Sequence, residues 1–480
     1  LNELVMMDAG SLAGAIRTRR ASCTEVMTAY LDHIARFNPR VNAIVALQDR
    51  AALLEQAAER DRCLTRGEPA GPLHGLPYAV KDLQAVRGMR TTLGSPILRD
   101  FVPSADSLLV TRLRRAGAIL IGKTNTPEFG LGSHTFNPVY GLTRNAYDAE
   151  WSAGGSSGGA AVALALRMLP VADGSDYGGS LRNPAGWNAV FGLRTSIGRI
   201  PTDASDSWLP SMSVLGPMAR TVGDLALLLA VQAGYDARSP LSLDGDGAMF
   251  RGSLDGDLRG TRLAWVGDFN GHAPCEPGVL EVCASAVRHL ERLGCTVEQA
   301  VPDFDIESVW QALIRLRGWQ QGGALLGYYR DPATRALLKN EAIYEVETGL
   351  AQSAYDITAA SLVRSQWSEA CRRFLERYDF LVLPTAQVFP FDAGEHWPRA
   401  IGGTVMRTYH EWMKANLLVT MSGCPALAAP AGFCPRGRPI GIQFVGPNRS
   451  ELACLKLACA YESVMDPAWS RTPDLLRQGI

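Results

Sequence analysis

Three short segments of the 480-residue chain hold residue types that can attack a carbonyl or move protons. The first is Gly154-Gly155-Ser156-Ser157-Gly158-Gly159, followed at once by the helix-prone run Ala160 to Leu166. Such a loop brings backbone and hydroxyls close to whatever it holds, although alone it reads equally well as a flexible turn. A phosphate cradle would end in Gly-Lys-Ser/Thr, and Gly158-Gly159-Ala160 stands there instead, which argues against nucleotide binding. The second segment runs from Gly174 through Ser175, Asp176, Tyr177, Gly178 and Gly179 to Ser180, then to Arg182 and Pro184. It sets a serine directly after two glycines and offers consecutive, unhindered N–H groups from Tyr177 to Ser180. Acyl transfer needs donors of this kind where charge develops on the carbonyl oxygen, and one donor is worth about 3–4 kcal/mol to the transition state. The third, Gly75 to Asp82, ends an apolar run in Lys81. By itself a lysine at a strand end is an exposed charge. Held in apolar surroundings, it loses its proton more readily and becomes a general base near neutral pH.

These segments need a scaffold. Apolar spacing at Val26, Tyr30, Ile34 and Phe37 predicts a helix over 24–37, stopped by Asn38-Pro39. A second helix is predicted from Pro277 to Gly294, with Leu280, Cys283, Val287 and Leu290 on one face. Apolar runs at 118–121, 263–266, 380–383 and 440–445 predict buried strands. The alternation points to an α/β fold with a mixed sheet. The Gly/Asp-rich stretch 243–260 reads as a surface loop, and no repeat or low-complexity linker divides the chain, so residues 1–480 are read as one domain.

Composition narrows the function. With 47 basic against 48 acidic residues, no bulk field draws the chain to nucleic acid or an anionic membrane, and a small neutral substrate fits better. No apolar stretch approaches the ~20 residues needed to span a bilayer. Ten scattered cysteines without a CxxC pair predict reduced thiols and a cytoplasmic setting, with Cys454 and Cys459 on a C-terminal helix. The first residues lack the basic-then-apolar pattern of a secretion signal. The seven histidines show no metal-binding spacing, so neither metal nor cofactor is expected, and His74 is assigned a structural hydrogen bond. Trp310, Trp319, Trp397 and Trp412 are assigned to packing, with a substrate pocket as the other use of such rings.

Taken together, the three segments resemble the amidase signature family, whose hallmark is a Ser-cisSer-Lys triad. Lys81 precedes Ser156 by 75 residues and Ser156 precedes Ser180 by 24, as in that family. The resemblance continues through Gly122 to Phe129, Asn137-Pro138, Phe191 to Arg194, Tyr378 to Thr385 and Pro439 to Gly446. It is strongest over about 70–220 and weakest over about 240–375 and 390–415, the segments expected to carry specificity. It implies the amidase signature fold, a twisted mixed sheet covered by helices on both faces. It implies Ser180 as nucleophile, Ser156 as proton relay after a cis Gly155–Ser156 bond, and Lys81 as base. Backbone N–H groups of Tyr177, Gly178, Gly179 and Ser180 would form the oxyanion hole, with Ser157, Asp176 and Arg182 supporting the two serine loops. Ala153 and Tyr177 depart from the residues often seen at their positions, and the Tyr177 side chain is expected to shape the acyl pocket. The implied activity is hydrolysis of a small amide through an acyl-enzyme. The alternatives are an esterase or carbamate hydrolase, an amidotransferase of the A type working with a partner protein, and a catalytically silent scaffold. A homodimer is the assembly expected.

Overall fold

The computed structural model describes residues 2–477 apart from 204, 205, 207, 210 and 211. Those five positions fall within the signature core of about 70–220 and, with 1 and 478–480 of the 1–480 domain, lie outside the described residues. Three strands form a small sheet: β1 (Ile44–Val45), β2 (Pro77–Lys81) and β3 (Ile119–Thr124). β3 is central, antiparallel to β1 and parallel to β2, with Lys81 opposite Thr124. The large sheet comprises β4 (Val171–Asp176), β5 (Phe191–Arg194), β6 (Val214–Ala219), β7 (Arg262–Trp265), β8 (Thr296–Gln299), β9 (Phe380–Pro384), β10 (Ala426–Phe433) and β11 (Pro439–Val445). Its order is β8-β7-β9-β11-β10-β5-β6-β4. β7 runs parallel to β8 and β9, and the remaining pairs are antiparallel, so the sheet is mixed.

β6, β9 and β11 are buried at every position. A strand in that state is covered on both faces. The helices that matter below are α1 (Cys23–Val41), α2 (Gly158–Ala165), α3 (Arg182–Trp187), α4 (Val222–Gln232), α5 (Val279–Glu291), α6 (Ile306–Arg330), α7 (Asn340–Leu350), α8 (Ala354–Phe374), α9 (Lys414–Ser422) and α10 (Glu451–Val464). α2 is apolar all round and wholly buried, as expected of a central helix. It touches all three strands of the small sheet and also β4 and β6, so it bridges the two sheets. Gly159 permits this: a Cβ there would lie 2.3 Å from the Asn125 nitrogen and 2.6 Å from the Ala43 oxygen.

α1 runs past the expected stop at Pro39 to Val41. A proline in the last turn forfeits a single helical hydrogen bond. Asn42, in the left-handed conformation, closes the helix by donating its N–H to Asn38, whose side chain accepts from Ala43 and Ile44. The second predicted helix is shorter than 277–294, since Gly278 at φ 96° caps its start. Every predicted strand is present to within a few residues.

Candidate functional site

Lys81 ends β2 in a position that is 1 % exposed. Its Nζ lies 2.7 Å from Ser156 Oγ, 2.9 Å from Ser157 Oγ and 3.0 Å from Ser175 Oγ. Burial lowers its pKa from 10.5 to about 7, against the opposing pull of the Asp173 and Asp176 charges. Asp173 also accepts the Lys81 backbone N–H, at 3.3 Å from each oxygen. Burial raises the Asp173 carboxyl to about 6, even though Lys81 stabilises its charge. Both groups therefore sit close to neutrality, where a proton can be gained or lost at little cost.

Ser156 follows a cis peptide bond from Gly155, as the family resemblance implied. Its loop is fixed on both sides: Thr135 Oγ1 donates to the Gly154 carbonyl at 2.8 Å, and the Gly155 N–H donates to Asn183 Oδ1 at 3.2 Å. Ser180 lies on the turn between β4 and α3 and is 7 % exposed. The Ser157 N–H donates to the Ser180 carbonyl at 3.3 Å, which ties the two serine loops together through the main chain. Among the described residues no hydrogen bond joins the Oγ atoms of Ser156 and Ser180. The file of side chains thus runs from Lys81 to Ser156, with the Ser180 hydroxyl free to turn. Hydrogen bonds at such sites commonly tighten only once substrate is bound.

Asp176 organises the turn that carries Ser180. Its carboxylate accepts the N–H groups of Gly179 at 3.0 Å and Leu181 at 3.1 Å, and a two-point contact from Arg182 at 3.0 and 2.9 Å. Arg194 adds a contact at 3.3 Å. Burial opposes ionisation of Asp176, but the guanidinium groups of Arg182 and Arg194 hold its carboxyl well below the usual range. Arg182 reaches on to Gln443 Oε1, the Asn416 carbonyl and Thr420 Oγ1. Gly179 therefore differs from the expectation of four free donors, because its N–H is committed to Asp176. Among the described residues, the N–H groups of Tyr177, Gly178 and Ser180 have no protein acceptor.

The segments of weakest resemblance close over this turn. Arg317 of α6 lies 4.6 Å from the centre of the Tyr177 ring, and the Tyr177 hydroxyl donates to Gln320 Oε1 at 3.1 Å. Arg317 is buried. It donates to Glu345 of α7 at 2.7 Å and to the Tyr409 hydroxyl at 3.1 Å. Glu345 Oε1 also receives the Tyr409 hydroxyl and, at 2.8 Å, His410 Nε2. Burial works against ionising Glu345, yet the charges of Arg317 and His410 hold its pKa at about 2. A cavity of about 450 Å³ reaches the Lys81 end of the site, where Ser175 lines it with Leu83, Gln84, Ser107, Ile197 and Leu215.

The family model described as Amidase matches residues 25–455. The chain belongs to the amidase signature family. Among amidase signature proteins it is 34% identical to an acylamidase from Rhodococcus erythropolis, over 98% of each chain. It is 35% identical to the A component of the glutamyl-tRNA(Gln) amidotransferase of Thermus thermophilus, over 96% of this chain and 99% of that one. The crystal structure of a bacterial aryl acylamidase of the family superposes with a TM-score of 0.90 at 28% identity, covering 98% of both chains.

Several members of the site were not singled out from the sequence. Ser175 and Asp173 flank Gly174 within the segment that leads to Ser180, and their spacing carried the signal: alternate positions on β4 put both beside Lys81. Arg194 ends the segment Phe191 to Arg194, in which the sequence marked no role for it. Arg317, Gln320, Glu345, Tyr409, His410 and Thr420 come from segments where nothing in the local pattern marks a site. His74 makes the structural contact expected of it, between Nε2 and the Arg60 carbonyl at 3.0 Å. Trp412 is buried against Trp187, and the Trp397 ring lies 3.7 Å from the Arg399 guanidinium. All ten cysteines are free. Among the described residues no helix is long and apolar enough to cross a membrane, and no cluster of three acidic, His or Cys side chains is arranged for a metal.

Proposed function

We propose that the protein hydrolyses a carbon–nitrogen acyl bond of a small amide through an acyl-enzyme, with Ser180 as nucleophile, Ser156 as relay and Lys81 as base. The observation that carries this reading is a fully buried amine, drawn down to about 7, whose Nζ meets the hydroxyl of a serine preceded by a cis peptide. Neutral Lys81 takes the Ser156 proton while Ser156 takes that of Ser180, and Ser180 Oγ bonds to the carbonyl carbon. The oxyanion is met by the N–H groups of Tyr177, Gly178 and Ser180. Return of the proton along the same path to the leaving nitrogen breaks the C–N bond. Water then repeats the sequence and releases the acid. Ser157, Asp176 and Arg182 support the loops. The chain acts as one domain in this reading, its acyl specificity carried by 240–375 and 390–415, in a cytoplasmic setting.

A second reading, release of ammonia from glutamine for a partner protein, draws support from the likeness to the Thermus thermophilus amidotransferase component. The test is a panel of anilides, primary amides including glutamine, esters and carbamates, together with labelling by a fluorophosphonate probe. Labelling at Ser180 with turnover of an anilide or primary amide supports the proposal. An unlabelled, inert protein marks a silent scaffold, and turnover of glutamine alone favours the second reading.

A further inference from the structure

Resting on the assignment of Ser180 as nucleophile, we infer that Thr420 and Arg194 are positioning residues that aim the oxyanion donors by holding the opposite ends of their peptide groups. A trans peptide is planar, with its C=O and N–H pointing in opposite directions. Fixing the carbonyl of such a unit therefore fixes the direction of the N–H. The four units from Asp176 to Ser180 are trans, since the cis bond recorded lies at Gly155–Ser156.

Three of these units share one pattern. The Asp176 carbonyl accepts from Arg194 Nη1 at 2.5 Å, and the N–H on the other side of that peptide is Tyr177's. The Tyr177 carbonyl accepts from Thr420 Oγ1 at 2.5 Å, and its opposite N–H is Gly178's. The Gly179 carbonyl accepts the N–H groups of Arg182 at 2.9 Å and Asn183 at 2.7 Å, at the start of α3, and its opposite N–H is Ser180's. In all three the carbonyl is held and the N–H has no protein acceptor among the described residues. The fourth unit is reversed: the Gly179 N–H goes to Asp176 Oδ1, and the Gly178 carbonyl accepts nothing among the described residues. The anchors are directional as well. Guanidinium groups only donate. Because Arg182 Nη2 already donates to Thr420 Oγ1 at 3.1 Å, the Thr420 proton is left for the Tyr177 carbonyl. Thr420 is wholly buried on α9, so solvent does not compete for that proton.

Thr420→Val keeps the shape of the side chain and removes the donor, whereas Thr420→Ser keeps the donor and removes a methyl group. One sample of wild type is first treated with a fluorophosphonate, and a separate untreated sample is assayed with an amide it turns over. An unlabelled, inert wild type defeats the serine-hydrolase reading and this inference with it. With an active wild type, Thr420→Val should lose roughly ten- to a hundredfold in kcat at nearly unchanged KM, because a misaimed donor fails mainly where the oxyanion forms. Affinity for a trifluoromethyl ketone, which forms a tetrahedral oxyanion on Ser180, should fall in parallel. Thr420→Ser should restore both. Wild-type kcat and inhibitor affinity in Thr420→Val, or equal impairment of the Val and Ser variants, would overturn the assignment while leaving Ser180 in place. Should the Val variant fail to fold, Thr420→Cys, a weak donor of similar size, is judged by the same ratio.

Discussion

The ionisation of Lys81 links two measurements that share no assay. An ordinary lysine at 10.5 is neutral in about three molecules per ten thousand at pH 7, whereas one at about 7 is neutral in half of them. Burial thus raises the neutral fraction of Lys81, the form the proposed mechanism uses as base, on the order of a thousandfold. Phosphonylation of Ser180 by a fluorophosphonate, with release of fluoride and followed by stopped flow, should therefore climb about tenfold per pH unit below pH 7 and level off above it. The same residue acts on stability with a defined sign. The folded pKa lies below the unfolded one, so between about 7 and 10.5 the unfolded chain holds a proton that the folded chain lacks. Stability then rises with pH by up to about 1.4 kcal/mol per unit, roughly 4–5 kcal/mol across the window. Urea denaturation of wild type and Lys81→Met at several pH values isolates this contribution as a difference in slope. Two results would refute the reasoning: a phosphonylation rate still climbing tenfold per unit at pH 9, or identical slopes in the two proteins.

Ser180→Ala should abolish turnover and probe labelling with an unchanged circular dichroism spectrum, and Ser156→Ala should cut turnover by orders of magnitude, about as expected when one member of a proton relay is removed. Replacing Asp173 by Asn removes a charge that raises the Lys81 pKa, so the acid limb of the pH–rate profile should move to lower pH; a shift to higher pH would contradict the charge assignment. Arg317→Met and Glu345→Leu should each cost about 3–5 kcal/mol in urea denaturation, since each strands a buried charge. The double variant should lose less than the sum of the two, and strict additivity would show that the pair does not interact.

The site was legible where chemistry depends on local sequence. The two serine loops and Lys81 each read alone as a flexible turn or an exposed charge, and it is their residue types and spacing taken together, through the resemblance to the amidase signature family, that single them out. The strands β3, β7, β9 and β11 were legible because continuous apolar runs mark buried strands. β4 and β6 were not, because Asp173, Gly174, Ser175 and Asp176 in one, and Gly216-Pro217 in the other, mask strand propensity with residues the site requires. The commitment of the Gly179 N–H to Asp176 was also hidden, since it depends on how the turn folds back on β4. The cluster of Arg317, Glu345, Tyr409 and His410 assembles from positions up to 93 residues apart. No periodicity records such a meeting, which comes from the packing of α6 against α7 and the approach of Tyr409 and His410 to both.

The three hydroxyls around the Lys81 amine have a bearing on how easily charge appears there. A newly formed ammonium has three hydrogens to place, and Ser156, Ser157 and Ser175 already stand at bonding distance. With all three oxygens already at these distances, rotation of light O–H groups is enough to meet the charge as it comes and goes. The protein has in effect built a fragment of solvation shell that was oriented during folding, so the proton transfer proposed at Lys81 would not wait for water to rearrange.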